Sequence, residues 1–184
     1  MNDTLSPLLP RVAKGDKAAL AELYRALETP LYRFIYSRLN DPHESADLLH
    51  DVFMEVWRVA DRFEGRSKVT TWVFGIAYRK VIDRFRKASK VDLPGEMPEN
   101  IDENANTEAS LLAAQEAGHV RHCIGELSEE HRAAISLAFY QDMSYGQIAE
   151  VTNVPEGTIK TRIYHAKKLL MRCLGGRVDR GAMA

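Results

Sequence analysis

The stretch from Ser89 to Thr107 constrains the fold more than any other part of the chain. It contains Pro94, Gly95 and Pro98, is dominated by Asp, Glu and Asn, and has almost no helical periodicity. Such a segment buries too little apolar area to offset the entropy of ordering it. It predicts a flexible acidic linker over residues 89–109. The apolar residues on either side must then fold as two small domains, 8–88 and 110–174. A chain of 184 residues, 45% apolar, is long enough for both.

Charge follows the same division. Residues 1–88 carry 15 Lys and Arg against 12 Asp and Glu. Residues 89–118 carry Lys90 alone against seven acids, and residues 119–184 carry 9 against 7. The net charge of −1 hides two weakly basic blocks around an acidic one.

Both blocks read as helical, and no convincing period-two strand is present, so the expected class is all-α. Asp16 caps a helix whose stripe is Ala19, Leu20, Leu23 and Leu27. Pro30 interrupts it, and Leu31, Phe34, Ile35 and Leu39 restart the pattern. Asp41-Pro42-His43-Glu44 is a helix start: Asp caps, Pro fits the first turn, and Glu reaches back to the cap amide. Leu48, Leu49, Val52, Phe53, Val56 and Val59 form the next stripe. A polar loop, Phe63 to Thr71, precedes a helix from Trp72 to Arg86. In the second block, helices are expected over Ala109–Ile124, from Ser128 onward, from Ser144, and over Gly157–Leu170.

Residues 144–170 have the layout of a helix-turn-helix. Ser144 and Gln147 form a capping box, Ala149 is small enough for a close crossing, and Thr152 to Pro155 is a turn. In the last helix, Ile159, Ile163, Ala166 and Leu170 point inward. Thr158, Lys160, Thr161, Arg162, Tyr164, His165, Lys167 and Lys168 are left outside, a set suited to the DNA major groove. A solvated basic face would also explain the charges, but not the capped short helix before them.

The first block carries a second cluster. Arg66, Lys68, Arg79, Lys80, Arg84, Arg86 and Lys87 face only Asp83. They lie beside Phe63, Trp72, Phe74, Tyr78 and Phe85. Bases stack on aromatic faces while Lys and Arg track the backbone, so this pattern fits a single nucleic-acid strand. Phe63, Phe74 and Phe85 fit equally well in the core.

Asp47 through Trp57 reads Asp-Leu-Leu-His-Asp-Val-Phe-Met-Glu-Val-Trp, Trp72 through Arg86 carries Trp, Ile-Ala and Ile-Asp at fixed spacing, and Gly157 through Arg162 reads Gly-Thr-Ile-Lys-Thr-Arg. Together these resemble bacterial sigma factors, closest to the small extracytoplasmic-function (ECF) group, over about residues 8–87 and 110–174. His50, Asp51, Arg79 and Gln147 depart from the usual Gln, Glu, Asn and Glu.

The resemblance implies a sigma factor that binds core RNA polymerase and directs it to promoter DNA. Asp47, His50, Asp51, Met54 and Glu55 would dock on the coiled coil of the beta-prime clamp. Arg66, Lys68, Trp72, Arg79, Lys80 and Arg84 would read and open the minus-ten element. Thr158, Lys160, Thr161, Arg162, Tyr164, His165 and Lys167 would read the minus-thirty-five element. It also implies an anti-sigma factor as partner and a cytoplasmic location. A stand-alone helix-turn-helix regulator and a protein-interaction adaptor are the competing classes.

No phosphate loop, nucleophile elbow or metalloprotease helix occurs, so no catalysis, small-molecule substrate or cofactor is expected. No apolar run approaches the ~20 residues of a membrane span. Two cysteines, Cys123 and Cys173, do not make a disulfide framework and read as residues of a reducing cytoplasm. Cys123 is expected in the core and Cys173 as a bystander. His119, His122 and Cys123 share a helix face but lack a fourth ligand, so no metal is expected there.

Overall fold

Asp16 sets the entry to the longest helix of the N-terminal unit. Its side chain accepts from the amides of Ala18 and Ala19 at 2.9 and 3.1 Å, starting α2 (Lys17–Leu39) after a short first helix, α1 (Leu8–Ala13), that ends at Lys14. Those two amides and Arg11 hold its carboxyl below the usual carboxylate range, the Ala19 amide most of all. The computed structural model describes residues 3–88 and 108–181, and every regular element among them is helical.

Pro30 does not interrupt α2, contrary to the sequence expectation. Proline inside a helix costs about 3 kcal/mol through one lost hydrogen bond and a ring clash. Leu23, Leu27, Leu31, Phe34 and Ile35 are all buried along the same face. At roughly 1.5–3 kcal/mol per buried side chain, that face outweighs the proline.

Asn40, in a left-handed conformation at φ 52°, ends α2 by donating its amide to Tyr36. Asp41 caps α3 (Pro42–Val59) by accepting from the Glu44 amide at 2.7 Å. The Glu44 carboxylate does not reach back to that cap. It accepts instead from Arg84 at 2.8 Å and ties α3 to α4 (Val69–Ala88). A 3-10 turn, Ala60–Arg62, leads toward the loop before α4. The α4 N-terminus is capped from far away: Asp3 accepts from the Val69 amide at 2.5 Å.

The C-terminal unit contains α5 (Glu108–Gly125), α6 (Glu129–Phe139), α7 (Tyr145–Thr152) and α8 (Glu156–Gly181). Ser128 caps α6. Both halves of the capping box at Ser144 and Gln147 are formed, at 2.9 and 3.3 Å. Asn153, at φ 55°, makes the turn between α7 and α8. Ile159, Ile163 and Ala166 are buried as the periodicity requires. The helix runs eleven residues past the expected end at Leu170.

That extension corrects the cysteine reading. It carries Cys173 to α5, where it forms a disulfide with Cys123, with Cα atoms 5.7 Å apart. Cys123 is buried, as expected of a core residue, but Cys173 is no bystander. The bond closes a loop across 50 residues, a separation that leaves no local pattern. Closing such a loop stabilises the native state by about 2–4 kcal/mol. Reduction is therefore expected to lower the melting temperature of the C-terminal unit, read by circular dichroism with and without dithiothreitol. Identical melting curves would show that α8 is held by packing alone.

The buried apolar residues form one connected cluster through both units, from Leu8 and Phe74 to Leu137, Ile148 and Ile163. Two bodies joined by a flexible acidic linker were expected. Of the linker expected at 89–109, residues 89–107 lie outside the described residues and the last two belong to α5, while the bodies themselves are in contact. Helix α7 lies across α4 at Gly75, where an added Cβ would sit 3.9 Å from the Val151 backbone. Gln147 Nε2 donates to Thr71 Oγ1 at 3.4 Å across the same seam.

Candidate docking and nucleic-acid interfaces

Burial of the α3 stripe leaves a polar face. Asp47, His50 and Asp51 are exposed on it, and Met54 is 52% exposed, much for a residue of its hydrophobicity. Glu55 is half-buried because Arg58 grips it with two hydrogen bonds from one nitrogen, at 2.7 and 2.8 Å. That bond, more than any other influence, holds the Glu55 carboxyl below its usual range. Asp51, Met54, Glu55, Trp57, Arg58 and Lys80 line one open groove. Met54 also borders a second, more apolar groove between α2 and α3, with Leu20, Tyr24, His50 and Phe53. A flexible thioether between two grooves offers adaptable apolar contact, and the carboxylates beside it offer charge.

The aromatic and basic set of α4 and its preceding loop divides in three. Phe74 is fully buried, edge-on to Phe34 at 5.3 Å, and belongs to the core. Phe63 and Phe85 are partly buried against it. Trp72 is half-buried with its ring 5.3 Å from Phe63, so one side is occupied. Arg66 is highly exposed and paired with Glu64; Arg79 is exposed; Arg84 is held by Glu44. Lys68 and Lys80 are half-buried, and Lys80 is close enough to Glu55 to favour its charged form.

On α8, Lys160, Thr161, Tyr164, His165 and Lys167 face solvent, and Thr158 is half-buried. Lys160 pairs with Glu156 at 2.9 Å, and the Thr161 hydroxyl donates to the Gly157 carbonyl at 3.0 Å. Tyr164 is 64% exposed, and Lys167 lies over the Phe139 ring at 5.1 Å. Arg162 departs from the expected outward set. Its side chain is only 18% exposed, 3.4 Å from Glu130 and close enough to Tyr78 of α4 to influence that hydroxyl.

Sequence patterning missed Arg38. Its side chain is wholly buried at the end of α2, 2.9 Å from Glu129 at the start of α6. It donates to the Phe34 carbonyl at 2.8 Å and to Ser37 at 2.9 Å, with its guanidinium 3.8 Å above the Phe34 ring. Burial pulls the guanidinium down to about 10 despite Glu129, and pushes the Glu129 carboxyl up despite Arg38. An arginine in the i+4 slot after Phe34 was the available signal, but nothing local announces a partner 91 residues away. Cys123 sulfur is committed to its disulfide, and among the described residues no three His, Cys, Asp or Glu side chains gather to hold a metal.

The Sigma-70 region 2 family matches residues 23–91, and the Sigma-70 region 4 family matches residues 118–170. The chain is 30% identical to the ECF RNA polymerase sigma factor SigK of Mycobacterium sp. (strain JLS), over 93% of this chain and 91% of that one. It is 29% identical to SigK of Mycobacterium tuberculosis (strain CDC 1551 / Oshkosh), over 95% of each. CnrH, solved in complex with the cytosolic domain of CnrY, shares the fold with a TM-score of 0.68 at 22% identity, covering 92% of this chain and 96% of its own. The sigma factor RpoE from Bartonella quintana, solved with the anti-sigma factor NepR, gives 0.64 at 22% identity, covering 84% and 97%.

Proposed function

The chain belongs to the ECF RNA polymerase sigma factors, non-enzymatic polymerase subunits that direct transcription initiation through regions 2 and 4, and from that premise we propose which of its surfaces carry each step. The exposed face of α3, with Asp47, His50, Asp51, Met54 and Glu55, docks on the beta-prime clamp coiled coil. The loop before α4, and α4 itself, hold the separated non-template strand of the minus-ten element through Arg66, Lys68, Trp72, Arg79, Lys80 and Arg84. Strand opening needs no hydrolysis; binding energy offsets the few kcal/mol lost per unstacked base.

Helix α8 enters the major groove of the minus-thirty-five element with Thr158, Lys160, Thr161, Arg162, Tyr164, His165 and Lys167. An anti-sigma factor regulates the chain, in keeping with the complexes in which CnrH and the Bartonella protein were solved. Membership of a polymerase-binding family supports a cytoplasmic location. Among the described residues no helix is long and apolar enough to cross a membrane.

The observation that carries this reading is what remains after the core is buried. Asp47, His50, Asp51 and Met54 stay on the surface of α3, and Lys160, Thr161, Tyr164, His165 and Lys167 stay on that of α8. Arg162 tests the upstream half. A short module fixes its register through phosphates before it reads bases. Arg162→Ala should weaken binding to every minus-thirty-five duplex alike and reduce the salt slope by about one. Fluorescence anisotropy across a salt series measures both. Lost preference at one base pair would instead make Arg162 a direct reader, and no change would remove α8 from the groove.

A further inference from the structure

The segment before α2 has no part in the function proposed above, yet it holds both ends of the loop before α4. At one end, α1 packs against the 3-10 turn Ala60–Arg62, with Leu8, Leu9, Val12 and Ala60 all buried. At the other end, Asp3 Oδ2 accepts from the Val69 amide at 2.5 Å, and Val69 is fully buried. We propose that Asp3 is a positioning residue for promoter recognition. It fixes the loop 63–68, and with it Lys68 and Trp72, in the geometry that selects bases of the separated minus-ten strand; the inference rests on the assignment of this loop and α4 to that strand.

The carboxylate is itself held in place before it meets α4. Asp3 Oδ1 accepts from the Leu5 amide at 3.2 Å, and the Asp3 carbonyl accepts from the Ser6 amide at 3.1 Å. Leu5 in turn packs against the core. With both carboxylate oxygens engaged by amides, Asp3 acts through the loop and not on DNA, whose phosphates would repel it.

The first amides of a helix have no partner within that helix. Val69 is the first residue of α4, and its burial keeps water from its amide. Without Asp3 that donor is left unsatisfied, and the first turn of α4 must open to satisfy it. Two of the residues assigned to the strand sit on this turn. Lys68 directly precedes Val69, and the Trp72 amide donates to the Lys68 carbonyl at 3.0 Å. The tip of the loop is open: Gly65 is left-handed at φ 72°, a Cβ there would touch nothing, and the Arg66 side chain is 83% exposed. The shape of the loop is therefore set by its two anchors and by the backbone at Gly65.

Sequence selection by the reconstituted holoenzyme tests this. Core polymerase with the full chain is offered single-stranded DNA randomised over adjacent positions, and the bound fraction is sequenced. The wild type should enrich particular bases at a few of those positions. Asp3→Ala should reduce the enrichment about fivefold at some of them, the effect of one lost helix cap, while affinity for core polymerase is unchanged. Asp3→Asn keeps a capping oxygen without the charge and should restore the wild-type pattern. Gly65→Ala strains the loop without touching Asp3 and should blunt the same positions. Adding Asp3→Ala to Gly65→Ala should then bring a smaller loss than Asp3→Ala alone, because both act on one loop.

A loss spread evenly over all positions, or one that Asp3→Asn does not restore, overturns the positioning role. Enrichment blunted by Gly65→Ala but unchanged in Asp3→Ala keeps the loop on the strand and removes Asp3 from the account. A wild-type holoenzyme that enriches no sequence overturns the assignment of the loop and α4 to the minus-ten strand, and the role of Asp3 falls with it.

Discussion

Asp51→Lys should weaken binding to core polymerase by roughly a hundredfold, because a like-charge clash at an interface costs about 3 kcal/mol or more. Asp51 is exposed on α3, within one open groove that also contains Met54, Glu55 and Trp57. The core stripe of α3, from Leu48 to Val56, faces away from it. The substitution should therefore change stability by no more than ~0.5 kcal/mol. Titration of labelled polymerase, paired with a thermal melt, separates the two effects. Asp51→Asn should fall between the wild type and the reversal. Unchanged affinity for Asp51→Lys would move docking off this face.

Combined replacement of Lys68, Trp72 and Lys80 by Ala should abolish the open promoter bubble while polymerase docking survives. Each stacked base contributes roughly 1–3 kcal/mol, and the two cations track the strand beside it. The structure sharpens this expectation. Trp72 is half-buried against the core, with its ring 5.3 Å from Phe63, so its loss also costs packing. Trp72→Phe, combined with the two lysine changes, keeps the packing and separates the roles. Lys80 shares the groove with Asp51 and Glu55, so polymerase affinity must be measured on the same samples. Permanganate footprinting of unpaired thymines reads the bubble. A normal footprint in the triple variant would assign the strand to other residues.

What the sequence made legible was what is local. Caps at Asp16, Asp41, Ser128 and Ser144, the α3 stripe and the helix-turn-helix all follow from spacing within a turn or two, and all are present. The misreadings concern interactions between distant residues. Pro30 looked like a break because a single helix shows its cost, while the core that outweighs it belongs to several helices. Helix α8 looked shorter because its apolar stripe fades after Leu170, yet Cys173 continues it into a bond with α5. Asp3 capping α4, Gln147 on Thr71 and Arg38 on Glu129 join residues 66, 76 and 91 positions apart. Arg162 was placed outward by the phase of α8 alone, but its side chain is only 18% exposed, 3.4 Å from Glu130 of α6 and close enough to Tyr78 of α4 to act on that hydroxyl.

Run-off transcription with purified core polymerase and a library of promoter fragments tests the central claim most directly. The account predicts transcripts from a subset of fragments only when the chain is added. Those fragments should share an upstream and a downstream element, and output should fall sharply with Asp51→Lys. If core polymerase gives the same transcripts with and without the chain, the assignment of α3, α4 and α8 to docking, opening and upstream reading is wrong.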